Sequence, residues 1–231
     1  MGFYRGPNIV TDGLLFAYDA GSERCYPGTG TSTTNITSQA FPGTLTNGVG
    51  FSSGNGGYWE FDGADDYINI NSQYIIGASQ GTISAWINLA VANANHATIL
   101  CCQTGPSWAD MRLVLNVSTP NKIRFALSDG TNSTTNSCTT ASALSYGTWY
   151  HITATYNGSD AKIYINGVLD KTFTTTITPG TFTPNATMIG SQNYSGRYFN
   201  GEISTLFTYN TTLTAAEVLQ NFNAQKSRFG L

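Results

Sequence analysis

The stretch YGTWYHITATYNGSDAKIYINGVLDKTF, residues 146–173, constrains the fold more than any other part of the chain. Trp149, His151, Thr153 and Thr155 fall on one side of an extended backbone and Tyr150, Ile152, Ala154 and Tyr156 on the other. That is the period-two pattern of a strand with one face in a core. Asn157-Gly158 breaks the run. Lys162, Tyr164 and Asn166 then alternate with Ile163 and Ile165, and Asn166-Gly167 supplies the two positive-φ residues of a tight type I′ turn. The spacing predicts a strand, a turn and a hairpin that returns through residues 168–174.

Similar short runs are predicted as strands at residues 13–19, 67–70, 82–89, 98–103, 112–117, 122–128, 188–191 and 201–209, separated by turns rich in Gly, Asn, Ser and Thr. Many short strands with almost no helix point to a β-sandwich. Residues 28–39, of low complexity, read as a surface loop. One helix is expected: Thr214-Ala215-Ala216-Glu217 has capping-box form, and Val218, Leu219 and Phe222 supply an apolar stripe for packing on the sandwich. At 231 residues the chain suits one domain, 1–231, with residues 1–12 a docking arm in which Phe3, Tyr4 and Arg5 form an aromatic-basic anchor.

Only 10% of residues are charged, against 40% hydrophobic and 13% aromatic, and the formal net charge is −3. No basic stripe is available to displace counterions from phosphate, which excludes a nucleic-acid partner. No apolar run approaches the roughly 20 residues that span a bilayer, and the first residues lack a basic region followed by an apolar stretch. Neither membrane insertion nor signal-directed export is therefore expected.

Chemistry-bearing residues are sparse. The glutamates, Glu23, Glu60, Glu202 and Glu217, stand apart in the sequence, and no serine-nucleophile elbow is present, so no catalytic site is expected. His151 lies within an alternating strand as a structural imidazole, and His96 in an exposed turn. Cys101 and Cys102 are adjacent on a strand and point to opposite faces; with Cys25 and Cys138 they read as buried thiols or, for Cys25 or Cys138, as partners to one of the pair. Asp62, Asp65 and Asp66 offer hard oxygen ligands to calcium, or alternatively cap backbone donors in a turn. Sugar sites combine an aromatic platform with amides or carboxylates. Loop aromatics suited to this are Tyr58, Trp59, Trp108, Tyr194 and Tyr198, with Asn193, Arg197 and Asn200 beside the last two. The glycan-binding candidates are Trp108, Asn193, Tyr194, Arg197 and Tyr198; the same aromatics can instead plug sheet ends.

Four blocks, FDGADDYINI (61–70), GTISAWIN (81–88), the hairpin at 146–173 and FNGEISTLFTYNTTLTAAEV (199–218), occur in the order found in laminin-G-like domains of the concanavalin A-like lectin/glucanase superfamily, which the chain resembles. The resemblance implies an all-β jelly-roll sandwich of two antiparallel sheets with one short C-terminal helix. In that superfamily calcium is frequent, and the glucanases carry a Glu-x-Asp-x-x-Glu strand that this sequence lacks. The opening GPNIVTDGLLFAYDAGSERCYPGTGT and the closing NFNAQKSRFGL resemble standalone domains of tailed-phage virion proteins. That implies a non-enzymatic protein on the virion exterior, a capsid decoration or fibre-associated module. Its partners would be capsid or tail proteins, further copies of itself on the particle, and host-surface glycans. The alternative is a free, extracellular carbohydrate-binding lectin, calcium-dependent or not.

Overall fold

The computed structural model describes residues 7–38, 40–70, 79–91, 96–103, 110–115, 119, 121–128, 137–175, 186–192 and 197–231. The first strands are β1 (Leu14–Asp19), β2 (Ser32–Thr33), β3 (Gly43–Thr46), β4 (Gly50–Ser52), β5 (Tyr58–Asp62) and β6 (Tyr67–Ile70). They are followed by β7 (Gly81–Leu89), β8 (Thr98–Gln103), β9 (Asp110–Leu115), β10 (Ile123–Leu127) and β11 (Ser137–Thr139). The last are β12 (Trp149–Tyr156), β13 (Asp160–Ile165), β14 (Val168–Thr174), β15 (Ala186–Ile189) and β16 (Asn200–Tyr209). Helix α1 (Ala215–Gln225) and a 3₁₀ turn (Lys226–Phe229) close the chain.

The strands form two eight-stranded antiparallel sheets. In the first the order is β14-β13-β12-β7-β16-β5-β4, and in the second β11-β10-β9-β8-β15-β6-β3-β2. β1 also joins the first sheet, because β16 is long enough to pair with β5 through residues 200–203 and with β1 through residues 205–209. The jelly-roll expectation holds, and so does the hairpin. Asn166 and Gly167 have φ of 51° and 80°, and the Asn166 side chain also accepts from the His151 N–H at 2.9 Å, tying the turn to β12.

The core lies between the sheets. Ile83, Ala85, Ile87 and Leu89 of β7 and Ile152, Ala154 and Tyr156 of β12 meet Ile68, Leu100, Leu113, Phe125 and Ile189 from the second sheet. β12 is not half-buried as its alternation predicts: Ile152, Ala154 and Tyr156 enter the core, and His151, Thr153 and Thr155 on the other face are buried too. Truncating Ile87, which has no exposed surface, leaves a cavity costing about 2–5 kcal/mol.

The outer face of the first sheet is covered as well. Helix α1 and the 3₁₀ turn lie across it, so β7 is buried on nearly every residue instead of alternating. The capping box forms as expected: Thr214 Oγ1 accepts from Glu217 N at 3.3 Å and Glu217 Oε2 from Thr214 N at 2.7 Å. Such a cap stabilises a helix by about 1 kcal/mol. The expected stripe is only partly right. Val218 is buried, but Leu219 is 43% exposed, and the other buried positions of the helix are Asn221 and Gln225. Both act as polar pins. Asn221 Oδ1 accepts from Val10 N at 2.8 Å while its amide donates to the Tyr209 hydroxyl at 3.0 Å, and Gln225 Oε1 accepts from Trp86 Nε1 at 2.8 Å.

Residues 8–10 are anchored, since Val10 is buried beside Tyr209 and Val218 and Gln220 donates to the Asn8 carbonyl at 2.8 Å. Two further expectations change. The segment 28–39 is not simply a surface loop: Thr33 and Asn35 are fully buried, and Asn35 Oδ1 accepts from Ala17 N at 2.9 Å. Trp59 is not a loop aromatic but sits with no exposure on the inner face of β5.

Candidate functional site

Register across the first sheet brings together residues far apart in sequence. Trp149 on β12 stands opposite Asn88 on β7, Asn88 opposite Glu202 on β16, Glu202 opposite Glu60 on β5, and Glu60 opposite Gly50 on β4. Directly opposed residues share a sheet face, here the outer one. At about 4.8 Å per strand the row runs for about 19 Å, the length of a short oligosaccharide. Glu60 is exposed and the other four are half-buried. Gly50 has a local reason: a Cβ there would lie 2.8 Å from Glu60 Oε2, so the glycine lets the Glu60 carboxylate lean away from Glu202.

Tyr58, two residues before Glu60, points to the same side. Its ring meets that of Trp149 edge-to-face at 5.4 Å although β7 and β16 lie between their strands, so the pair arches over that part of the sheet. Trp149 continues to Phe229 (4.8 Å) and Phe229 to Trp86 (4.0 Å), and these packed neighbours fix the platform. Glu202 Oε2 and Asn88 Oδ1 are buried with no hydrogen-bond partner among the described residues. Burial, and then the Glu60 charge, push the Glu202 carboxyl above its ordinary range, opposed by a hydrogen bond from the Asn88 side chain. An aromatic ledge beside two carboxyls and an amide with unused acceptors suits a ligand that has an apolar face and several hydroxyl donors.

The acidic turn lies at the end of β5. Asp62 Oδ1 accepts from Ala64 N (2.7 Å) and Asp65 N (3.4 Å), the turn-capping role. Asp66 Oδ2 accepts from Asp62 N at 3.1 Å, whereas Asp66 Oδ1 is buried without a partner among the described residues. Ligand oxygens of the three aspartates lie within 4.8 Å of one another. Oxygens that share a calcium at 2.3–2.6 Å can stand no more than about 5 Å apart, so the group fits the ion. Burial chiefly raises the Asp66 carboxyl; its bond from Asp62 N opposes this, and the charges of Asp62 and Asp65 add to it.

Among the sequence-derived candidates, Phe3, Tyr4, Arg5, Trp108, Asn193 and Tyr194 lie outside the described residues. Arg197 and Tyr198 are half-buried and belong to the second sheet's side of the molecule, where the Arg197 carbonyl accepts from Thr98 N at 3.1 Å. They are not part of the Trp149 row. Asn200 borders that row, donating to the Asp62 carbonyl at 3.0 Å.

Ser84 Oγ and His151 Nε2 are 2.7 Å apart, but both are buried and the Phe222 ring lies 6.1 Å from the imidazole. Burial drives the His151 imidazole down to about 3, so it stays neutral and structural, as its strand position implies. His96 is half-buried, not exposed as expected. All four cysteines are buried and none is in a disulfide; Cys102 packs in the main core cluster and Cys101 does not, in line with opposite faces. A hollow of about 490 Å³ is lined by Ile9, Leu14, Ala17, Ile36 and Phe207.

Sequence reasoning missed Glu60, Glu202 and Asn88. Parity within each strand placed them outward, but only the pairing register, set by residues up to 142 positions apart, makes them neighbours.

Solved structures share this architecture. Domain 4 of AbnA, an extracellular arabinanase from Geobacillus stearothermophilus solved in complex with arabinotriose, matches with a TM-score of 0.69 over 91% of this chain and 98% of that one, at 18% identity. The binding domain of Paraclostridial Mosquitocidal Protein 1 matches at 0.72 (15% identity, 92% of this chain) and that of botulinum neurotoxin serotype D at 0.71 (15%, 93%). The chain spans about half of each toxin binding domain, 52% in both cases. These likenesses are of fold. A comparison with curated proteins finds no match. The profile of one family covers residues 62–219, from the acidic turn through the β12–β14 hairpin into helix α1, and on that match the chain belongs to the concanavalin A-like lectin/glucanases superfamily.

Proposed function

We propose that the chain is a non-enzymatic, lectin-like glycan-binding module acting on the exterior of a tailed-phage virion. The observation that carries the binding role is the Tyr58–Trp149 ledge set beside Glu202, Glu60 and Asn88 on one outward face. A pyranose stacked on the indole would offer its hydroxyls to the exposed Glu60 carboxylate, with Glu202 and Asn88 beside it in the same row. The arabinanase domain of the same fold, solved with a bound trisaccharide, supports the reading.

Binding is favoured over hydrolysis because the chain lacks the Glu-x-Asp-x-x-Glu strand that the glucanases of this fold carry. Asp62, Asp65 and Asp66 would hold calcium and stiffen the turn that ends β5. Phe3, Tyr4 and Arg5 are assigned to docking on capsid or tail proteins, and Trp108, Asn193, Tyr194, Arg197 and Tyr198 to further glycan contact, all from sequence.

Calorimetry against a panel of neutral oligosaccharides tests the binding role. Trp149→Ala should weaken binding at least tenfold in a protein that still melts cooperatively; unchanged affinity would remove the ledge from the proposal. Copy counting by mass spectrometry on density-purified particles tests the location. Many copies per particle fit a capsid decoration and a few fit a fibre, while absence from particles with sugar binding intact selects the free lectin.

A further inference from the structure

The Trp149 ring is held by two segments that lie far apart in sequence. One is the turn Gly54–Gly56 with the first residues of β5, and the other is the C-terminal turn Lys226–Phe229. Tyr58 from the first meets the indole edge-to-face at 5.4 Å, and Phe229 from the second lies 4.8 Å from it. The indole N–H is engaged as well. The Asn55 amide, oriented by its partners, accepts from Trp149 Nε1 at 3.0 Å and donates to the Arg228 carbonyl at 3.1 Å. Asn55 takes the left-handed backbone, φ 48° and ψ 32°, which asparagine tolerates better than most side chains.

Arg228 joins the two segments. Its Nε donates to the Asn55 carbonyl at 3.2 Å, so these two residues are bonded to each other in both directions. Nη2 donates to the carbonyls of Gly56 (3.0 Å) and Gly57 (3.3 Å) and to Ser204 Oγ (3.0 Å). Nη1 reaches both carboxylate oxygens of Asp19, at 3.1 and 3.0 Å. Each of the three nitrogens has its own acceptors, an arrangement that a planar guanidinium satisfies and the compact ammonium of a lysine does not. The turn has no room to shift towards β1, because a Cβ on Gly21 would collide with the Gly56 carbonyl oxygen. The end of β1, the turn before β5, strand β16 and the C-terminal turn therefore meet at one guanidinium, inside a cage of three carbonyls, a carboxylate and a hydroxyl.

We propose that Arg228 and Asn55 are positioning residues of the binding ledge. They clamp the C-terminal turn to the turn before β5 and so fix the Trp149 indole with its N–H bonded to Asn55, which leaves the ring carbons as the surface that a sugar meets. The clamp acts through Trp149 and not by contact with the ligand. A platform already held in its bound orientation has less freedom to lose on binding, so the clamp strengthens affinity by preorganisation. This inference rests on the glycan-binding reading above and adds the residues that set the geometry of the ledge.

The test combines ¹H–¹⁵N spectra of the indole groups with calorimetry, on the full chain, against the neutral oligosaccharide that the native protein binds most tightly. The Trp149 indole resonance is identified by its loss in Trp149→Phe. Asn55→Gly keeps a residue suited to the left-handed backbone and removes only the amide side chain. In this variant the Trp149 indole proton should shift and exchange faster with solvent, and affinity should fall about threefold or more. Arg228→Ala should show the same two changes. Guanidinium chloride at about 20 mM should restore both by refilling the oxygen cage, where sodium chloride at the same concentration does not, and Arg228→Lys should stay impaired. Should Arg228→Ala fail to fold, Asn55→Gly decides the matter alone. An indole resonance that is unchanged in both variants overturns the clamp. No rescue, or equal rescue by sodium, overturns the assignment to the Arg228 guanidinium. A shifted resonance with unchanged affinity overturns the role in binding and leaves the ledge reading standing. Failure of the native protein to bind any sugar overturns this inference and the glycan-binding reading together.

Discussion

Asp66 offers a quantitative test of the acidic turn. It is 4% exposed and keeps one carboxylate oxygen without a partner among the described residues. An orphaned buried acceptor costs about 1–3 kcal/mol, more when charged. Its carboxyl is raised in the folded protein, so the native state holds the proton more tightly than the unfolded chain does. The stability linked to Asp66 is therefore fully present below the unfolded carboxyl range and is lost as pH rises through the raised folded value, leaving a standing cost at pH 7. Calcium would cancel that cost and add binding free energy, about 2.7 kcal/mol when its concentration is a hundredfold above Kd. For a chain of this size 1 kcal/mol shifts Tm by about 2–4 °C, so saturating calcium should raise Tm by about 5–11 °C over an EDTA control. Asp66→Asn, which removes the charge but keeps an acceptor for the Asp62 N–H, should melt higher than the native protein in EDTA and lose the calcium response. The measurement is a thermal melt at pH 7 in 5 mM EDTA and in 5 mM calcium, with bound metal determined on the same samples. A native Tm that ignores calcium, with no metal retained, would refute the cation assignment. A fall in Tm for Asp66→Asn in EDTA would show that the orphaned oxygen is not a cost at all.

Two further outcomes follow from the same kind of accounting. Asn221→Ala leaves the Val10 N–H buried without its acceptor and takes a donor from the Tyr209 hydroxyl, so urea unfolding should show a loss of about 2–4 kcal/mol; a loss below 0.5 kcal/mol would mean that residues 8–10 are not held by α1. Glu202 is raised by burial and by Glu60, so Glu202→Gln should stabilise the protein at pH 7, with the advantage shrinking as pH falls through the carboxyl range; urea midpoints at pH 7 and pH 4 that move in parallel would contradict this.

Much of the fold was legible because its signals are local. The strand at 149–156, the Asn166-Gly167 turn and the Thr214–Glu217 box each require only neighbours in sequence, and each forms, although β12 is buried on both faces from His151 to Tyr156 instead of one. Misreadings came where the tertiary structure supplied a partner. Asn35 was read as part of a polar loop and Leu219 as buried. The first is pulled inward to satisfy Ala17 N; the second gives up its place because Asn221 and Gln225 find a hydroxyl and an indole waiting.

The candidate site divides in the same way. The aspartate turn was visible because its three carboxylates fall within five positions and fold on themselves. The Trp149 row was not visible. By itself the sequence determined which residues point outward from each strand, since parity is a property of the extended backbone. Only the tertiary structure decided which strands lie side by side, and so placed Glu202 against Glu60 and Asn88. Strand order in a sandwich is chosen by the summed burial of the whole core, a global quantity that no single segment of the chain carries.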